Sequence, residues 1–310
     1  MTTEKQDHGA VAYLLLLFMG LAWGLGLSFS KIASTSGGHP IGLALWQVIV
    51  SSSMLLMFSL FRFRPSMPRP SVIGFSLFCG LFGVGFPAIA LFWSTKYLPA
   101  GVVAIAFASM PMFTYLLSMV FRVEHADRIR WLGVIIGFIA MALLIVPEGA
   151  LPDPDLVPWV LLALAASVGM SLENCYAGGM RPPGISSVQL SCGRQFGAVF
   201  YLLPIALITG TLMPIFEPWG AVQWAATGTG VLSGLAFTAL LYVIRTSGAV
   251  FASQSAYLVT LAGMMWGMIL FGERHSAYIW GALVLTIIGC ALVRPRTPVK
   301  IGIIPPIPVE

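Results

Sequence analysis

The sequence predicts an all-α integral membrane protein: ten transmembrane helices in two five-helix repeats of inverted topology. Three observations carry this. Apolar residues make up 58% of the 310-residue chain and charged residues only 9%, with a mean hydropathy of +0.93, whereas a soluble domain is roughly a quarter charged. The apolar residues gather in runs close to the roughly 20 helical residues that cross the hydrocarbon of a bilayer. A block also recurs: a long apolar run, a lone Glu (Glu124, Glu273), a Trp seven residues on (Trp131, Trp280), a Gly (Gly133, Gly281), and a second run closing at Pro147 or Pro295. Self-similarity at a spacing of about 149 residues means one architecture used twice.

The runs fall at about 10–31, 40–61, 72–94, 100–121, 130–146, 157–178, 187–209, 222–244, 249–271 and 277–293. The first follows a barely basic leader and lacks a nearby small-x-small cleavage site, so it reads as a retained helix rather than a removed signal. The fourth contains Pro111, which removes a hydrogen bond to the Phe107 carbonyl and marks a kink. The sixth and seventh each carry one ionisable residue well inside, Glu173 and Arg194. The expected division is 1–147 for the first repeat and 148–294 for the second. A proline-rich tail, 295–310, reads as disordered and cytoplasmic. Cys79, Cys175, Cys192 and Cys290 all stand in apolar runs without CxxC spacing, as small fillers rather than a disulfide or metal set.

Basic residues orient the chain. Loops on the side of Met1 carry Lys5, Arg62, Arg64, Arg69, Arg122, Arg128, Arg130, Arg181, Arg245, Arg294, Arg296 and Lys300, against Lys31, Lys96 and Arg274 on the other side. Both termini are therefore expected in the cytoplasm. Five crossings per half then invert the second half, so Glu124 faces inward and Glu273 outward. Halves of this kind build the two gates of many secondary transporters; duplication that merely enlarges a bundle is the plainer alternative. The net charge of +5 is explained by this loop bias and implies no nucleic acid.

Several chemistries lack their motifs. No GxxxxGK[ST] loop is present, and Thr227–Gly230 (TGTG) lies inside an apolar run with no strand before it. HExxH, GxSxG and paired intramembrane aspartates are missing as well. No enzyme, cofactor or metal site is expected.

Pro111 in a small-residue helix, then Glu124, Trp-x-Gly and a Gly-rich closing helix resemble the repeat of the EamA type in the drug/metabolite transporter superfamily. The opening Ala22–Ala33 (AWGLGLSFSKIA) is similar to that family's first helix, with its Trp-Gly and a trailing Lys31. The resemblance covers nearly the whole chain and leans toward bacterial inner-membrane exporters of amino acids and related metabolites. It implies a multi-pass inner-membrane carrier with a small-molecule substrate, working by alternating access. The second half departs from the first by placing Thr260 where Pro111 stands, so an exact two-fold site is not expected. Efflux of amphipathic drugs or other organic solutes is the alternative within transport. A non-transporting membrane sensor or assembly subunit is the alternative outside it.

The resemblance also implies a cavity lined by helices one, three, four, six, eight and nine. Polar and aromatic residues within those helices are Trp23, Ser28, Trp93, Ser109, Thr114, Ser171, Asn174, Tyr176, Tyr242, Gln254, Tyr257 and Trp266. Gln254 and Tyr257, three apart, share one helix face and with Trp266 are the leading candidates for substrate contact. Ser and Thr hydroxyls bonded to their own helix, and Trp23, Trp93 and Tyr242 as interface anchors, are the competing readings. With little net charge such a site suits neutral or zwitterionic solutes better than phosphorylated ones. Glu173 and Arg194 fall at similar depth on adjacent antiparallel helices. They form either a buried salt bridge or a site for the charged ends of a zwitterion, with Glu173 the candidate proton acceptor. Glu124 and Glu273 read as helix-end caps or loop salt bridges, for instance with Arg128 or Arg274. Gly20-x3-Gly24, Gly133-x3-Gly137, Gly230-x3-Gly234 and Gly263-x3-Gly267 are expected at close helix crossings, and Pro111 is a candidate hinge.

Overall fold

A computed structural model describes residues 3–62, 70–121, 127–145, 153–183, 187–214, 218–247 and 255–293. Among these there are helices and turns but no strand. The helices are α1 (Thr3–Thr35), α2 (Pro40–Arg62), α3 (Pro70–Tyr97), α4 (Ala100–Val120), α5 (Arg128–Ile145), α6 (Val157–Gly179), α7 (Ser187–Ile208), α8 (Ala221–Ser247), α9 (Ser255–Phe271) and α10 (Ala277–Leu292). Among the described residues, six helical stretches have the length and apolarity to cross a bilayer: Ala10–Thr35, Pro40–Leu60, Pro70–Tyr97, Ala100–Val120, Val157–Ala177 and Gln189–Ile208. Ser255–Phe271 and Ala277–Gly289 are shorter apolar helices. Glu124, Gln254 and the tail after Val293 lie outside the described residues.

The perimeter is apolar where a soluble protein would be charged. Ile135, Phe138 and Ile139 on α5, Phe196, Phe200 and Ile208 on α7, and Val284 and Ile288 on α10 are all exposed. Such a belt needs hydrocarbon around it. Inside, α4 is buried on every side through its first half, with Val102, Val103, Ala104 and Ile105 sealed from the surface. A helix apolar all round belongs at a bundle centre.

The largest helix pairings repeat when the halves are exchanged. Helix α1 packs on α8 and α9, and α6 packs on α3 and α4. The pairs α2–α8 and α7–α3 match in the same way, while α5–α10, α2–α7 and α4–α9 each join a helix to its own counterpart. The glycine pairs sit at these crossings. A Cβ on Gly20 or Gly24 would fall 2.4 and 2.6 Å from the Cβ atoms of Leu258 and Ala262 on α9. Gly133 and Gly137 face Gly289 on α10, Gly230 and Gly234 meet α2 at Val50 and Met54, and Gly263 meets Ala104 on α4. The expected close crossings are present. Gly267 differs in serving a carboxylate: a Cβ there would fall 2.4 Å from Glu273 Oε2.

Two helices are irregular. Within α3, Leu81–Gly85 form a π-helical turn, with the Phe86 N–H donating to the Leu81 carbonyl. Pro87 follows and has no N–H, so the α-helical bond to Gly83 cannot form, and the register slips by one residue. Helix α4 breaks at Ser109, whose N–H turns back to the Ala106 carbonyl at 3.2 Å, two residues before Pro111. The kink expected from Pro111 is this break. In α9, where Thr260 replaces the proline, the helix runs unbroken from Ser255 to Phe271.

Candidate functional site

Glu173 and Arg194 meet. Glu173 Oε1 accepts from Arg194 Nη1 at 3.3 Å, and the side chains are only 10% and 18% exposed. Room for the carboxylate comes from the π-helical turn, where a Cβ on Gly83 would lie 2.6 Å from Glu173 Cγ. Arg194 stacks over Phe237 of α8 at 4.6 Å, and Trp23 of α1 abuts the same ring edge-on at 5.3 Å. Arg194 Nε is buried and has no hydrogen-bond partner among the described residues. A chain of contacts thus links α6, α7, α8 and α1 around one carboxylate and one guanidinium. Phe237 and Gly83 were not among the residues singled out from sequence; Pro87, a proline in mid-run, was the available signal for the turn that holds Gly83.

The other expected residues do not converge on this point. Trp93 stacks on Trp159 at 5.6 Å and lies beside Tyr97 and His39, in an aromatic group joining the end of α3 to the start of α6. Ser109 and Thr114 turn their hydroxyls to the Ala106 and Met110 carbonyls of their own helix. Asn174 is exposed, with its amide 3.6 Å from Met110 Sδ. Tyr176 stacks on Phe75 at 5.6 Å and packs at a tilt on Phe78 at 4.1 Å. Tyr242 is half-exposed on α8, and Tyr257 packs beside Met112, Tyr115, Val134 and Val293. Trp266 buries its indole nitrogen, and Ser28 its hydroxyl, without a hydrogen-bond partner among the described residues.

The break in α4 is held from α6. Ser167 donates to the Ala106 carbonyl at 2.9 Å, and Ser171 to the Met110 carbonyl at 2.8 Å. Both carbonyls also accept from their own helix, through Ser109 and Thr114, so the α6 hydroxyls add a bond across the helix pair beside the break. Replacing both serines with alanine is expected to lower stability by about 1–3 kcal/mol, at roughly 0.5–1.5 per bond. Thermal melting of the detergent-purified protein measures this; an unchanged melting temperature would mean that the break is held by packing alone.

A second charged group lies where α1 ends and α4 begins. Glu273 pairs with Lys31 of α1, and not with the neighbouring Arg274 expected from sequence. Its carboxylate also accepts from the Ala100 and Gly101 amides at 2.9 and 3.4 Å, capping the N-terminus of α4. A carboxylate there meets the positive end of the helix dipole. His275, its side chain fully buried, lies 3.7 Å from Glu273. The expected cap and salt bridge are both present, but each reaches across the chain. Among the described residues no cluster of His, Cys, Asp and Glu is arranged to hold a metal.

The profile of the EamA-like transporter family matches residues 10–146 and again 157–294. The chain belongs to the EamA-like transporter family. It shares 26% identity over 269 residues with the inner membrane transporter YedA of Escherichia coli, an uncharacterised protein, covering 82% of this chain and 81% of YedA. A probable terminal-alkyne amino-acid exporter of Streptantibioticus cattleyicolor is 25% identical over 241 residues, 74% of this chain and 76% of that one. A crystal structure of an 18% identical protein superposes with a TM-score of 0.60, covering 91% of this chain and 96% of the other. At that identity the likeness is one of fold. This EamA-type protein is a membrane transporter.

Proposed function

We propose that the protein exports amino acids or related small metabolites across the inner membrane by alternating access, through ten crossings in two inverted halves with both termini cytoplasmic. The observation that carries this reading is the opposed direction of α1 and α6. Lys31, near the end of α1, meets Glu273, which caps the start of α4. Helix α3 ends beside that start, and its Tyr97 stacks at 4.2 Å on Trp159 in the first turn of α6. The end of α1 and the beginning of α6 therefore share one end of the bundle. Counterpart helices running oppositely, with the largest helix pairings matched on exchange of halves, support inverted repeats and two alternating gates. The inner-membrane location of YedA supports the choice of membrane, and the loop charge bias supports the orientation.

The amino-acid class is supported by the relative named as an exporter and by the Glu173–Arg194 pair. These two groups match the opposite ends of a zwitterion, with Trp23 and Phe237 beside them. Trp93, Ser109, Thr114, Asn174, Tyr176, Tyr242, Gln254, Tyr257 and Trp266 are the further candidates for the substrate path, and Pro111 for a hinge.

Counterflow in proteoliposomes with a panel of labelled amino acids tests the proposal. Saturable exchange is expected for at least one of them. Exchange of amphipathic organic cations or drugs, with none of any amino acid, would move the substrate class to the efflux alternative. Absence of exchange for every solute class would sink the transport reading for these conditions and favour a sensor or assembly role.

A further inference from the structure

We propose that His275 is a proton-binding site linked to the opening of the bundle end that Lys31 and Glu273 close, making H⁺ a coupling ion of this carrier. The consequence for transport rests on the reading above; the proton site itself requires no particular substrate.

The geometry is unusual for a histidine. Its side chain is fully buried, yet neither Nδ1 nor Nε2 has a hydrogen-bond partner among the described residues. Buried polar atoms left unpaired carry their full desolvation penalty, so the arrangement calls for an explanation. The ring lies against α4, where a Cβ on Gly101 would approach it to 2.9 Å. It also faces Trp280 of α10 edge-on at 6.4 Å. The charged groups acting on it are Glu273 from its own loop and Lys31 from α1. From α4 it meets a glycine, and from α10 an indole.

Burial first, and Lys31 after it, hold the imidazole below its ordinary value; Glu273 acts in the opposite sense without prevailing. In the closed arrangement His275 is therefore neutral at pH 7. Parting α1 and α4 from this loop would admit water to the ring and remove Lys31, restoring a pKa near the ordinary value of about 6.5. Glu273, released from Lys31, would then have the imidazolium as its cation. The open form thus binds the proton more tightly than the closed one, and by linkage the proton favours opening. The sign follows directly. The closed form's advantage is complete above about pH 6.5 and declines as the pH falls through that value toward the lower, buried pKa. Across that interval the open-to-closed ratio rises by up to about tenfold per pH unit. In the proposed orientation this end faces away from the cytoplasm, so an acidic exterior would draw the carrier outward-open.

Spin labels on Cys substituted for Thr35 and Ala277, both exposed at this end, would report the opening in lipid nanodiscs without substrate. Longer distances are expected to gain population as pH falls from 8 to 5.5. His275→Gln, which cannot titrate, is expected to abolish that response. A wild type that does not respond to pH, or a variant that responds equally, overturns the proposal. Should the variant fail to fold, a chain keeping His275 as its sole histidine can be titrated by ¹³C NMR, after replacement of His8, His39 and His125. A midpoint below about 6.5 is expected; one at or above it reverses the linkage and overturns the idea. Neither measurement contains an amino acid, so a failed counterflow assay and a failed proton site are separate results.

Discussion

Replacing Glu173 or Arg194 with alanine is expected to destabilise the protein by about 3–5 kcal/mol, the effect of stranding one charge of a buried pair. Both partners are largely buried, and each stands inside an otherwise apolar helix. The stranded group would have to draw in water, move, or lose its charge. Lower yield and a lower melting temperature in both single variants, with recovery in the charge-reversed double variant Glu173→Arg, Arg194→Glu, would show that mutual pairing is what matters to the fold. Normal yield and melting with lost exchange would assign the pair to substrate or proton instead. Glu173→Gln separates these roles further, because it keeps the shape and a hydrogen bond while removing the charge.

A second large effect is expected at Gly80. A Cβ there would fall 2.5 Å from the Ala198 nitrogen and the Gly197 carbonyl carbon, and 2.7 Å from the Arg194 carbonyl oxygen. These are backbone atoms, which cannot swing aside as a side chain can. Gly80→Ala must therefore part α3 from α7, and overpacking of this kind costs about 1–3 kcal/mol, occasionally more. It also moves the stretch of backbone that carries Arg194, so Gly80→Ala should weaken the Glu173 pair as well. Gly74 on the same helix is the control, since a Cβ there meets nothing within 4 Å. Gly74→Ala should be neutral or slightly stabilising, by about 0.5–1 kcal/mol from lost backbone freedom. Equal melting temperatures for the two variants would refute the backbone-contact argument.

The Glu173–Arg194 pair was legible in sequence because each charge is alone in its run and its depth follows from counting residues to the helix end. Lys31–Glu273 was not, since its partners are 242 positions apart and a loop residue carries no periodicity to announce its face. The glycine pairs revealed close crossings without revealing partners: spacing records that a helix has a small face, not which helix covers it. Pro111 announced the break in α4, but the serines of α6 that hold it look like any others in an apolar run. Helix α1 starts at Thr3 rather than near residue 10, because hydropathy marks where hydrocarbon ends and not where hydrogen bonding does.

The hydroxyls that α6 lends to α4 bear on what can move as a body. Ser167 and Ser171 come from the second half of the chain, and the carbonyls they hold come from the first. Likewise α1 of the first half is packed against α8 and α9 of the second. A cut between the repeats would sever both sets of contacts, whereas a cut that keeps α6 with α3 and α4, and α1 with α8 and α9, would preserve them. Under the proposed alternating access, the pieces expected to move as bodies are therefore chimaeras of the two repeats. Expressing the halves as two separate chains should therefore still yield a working carrier, provided that they meet before either is degraded.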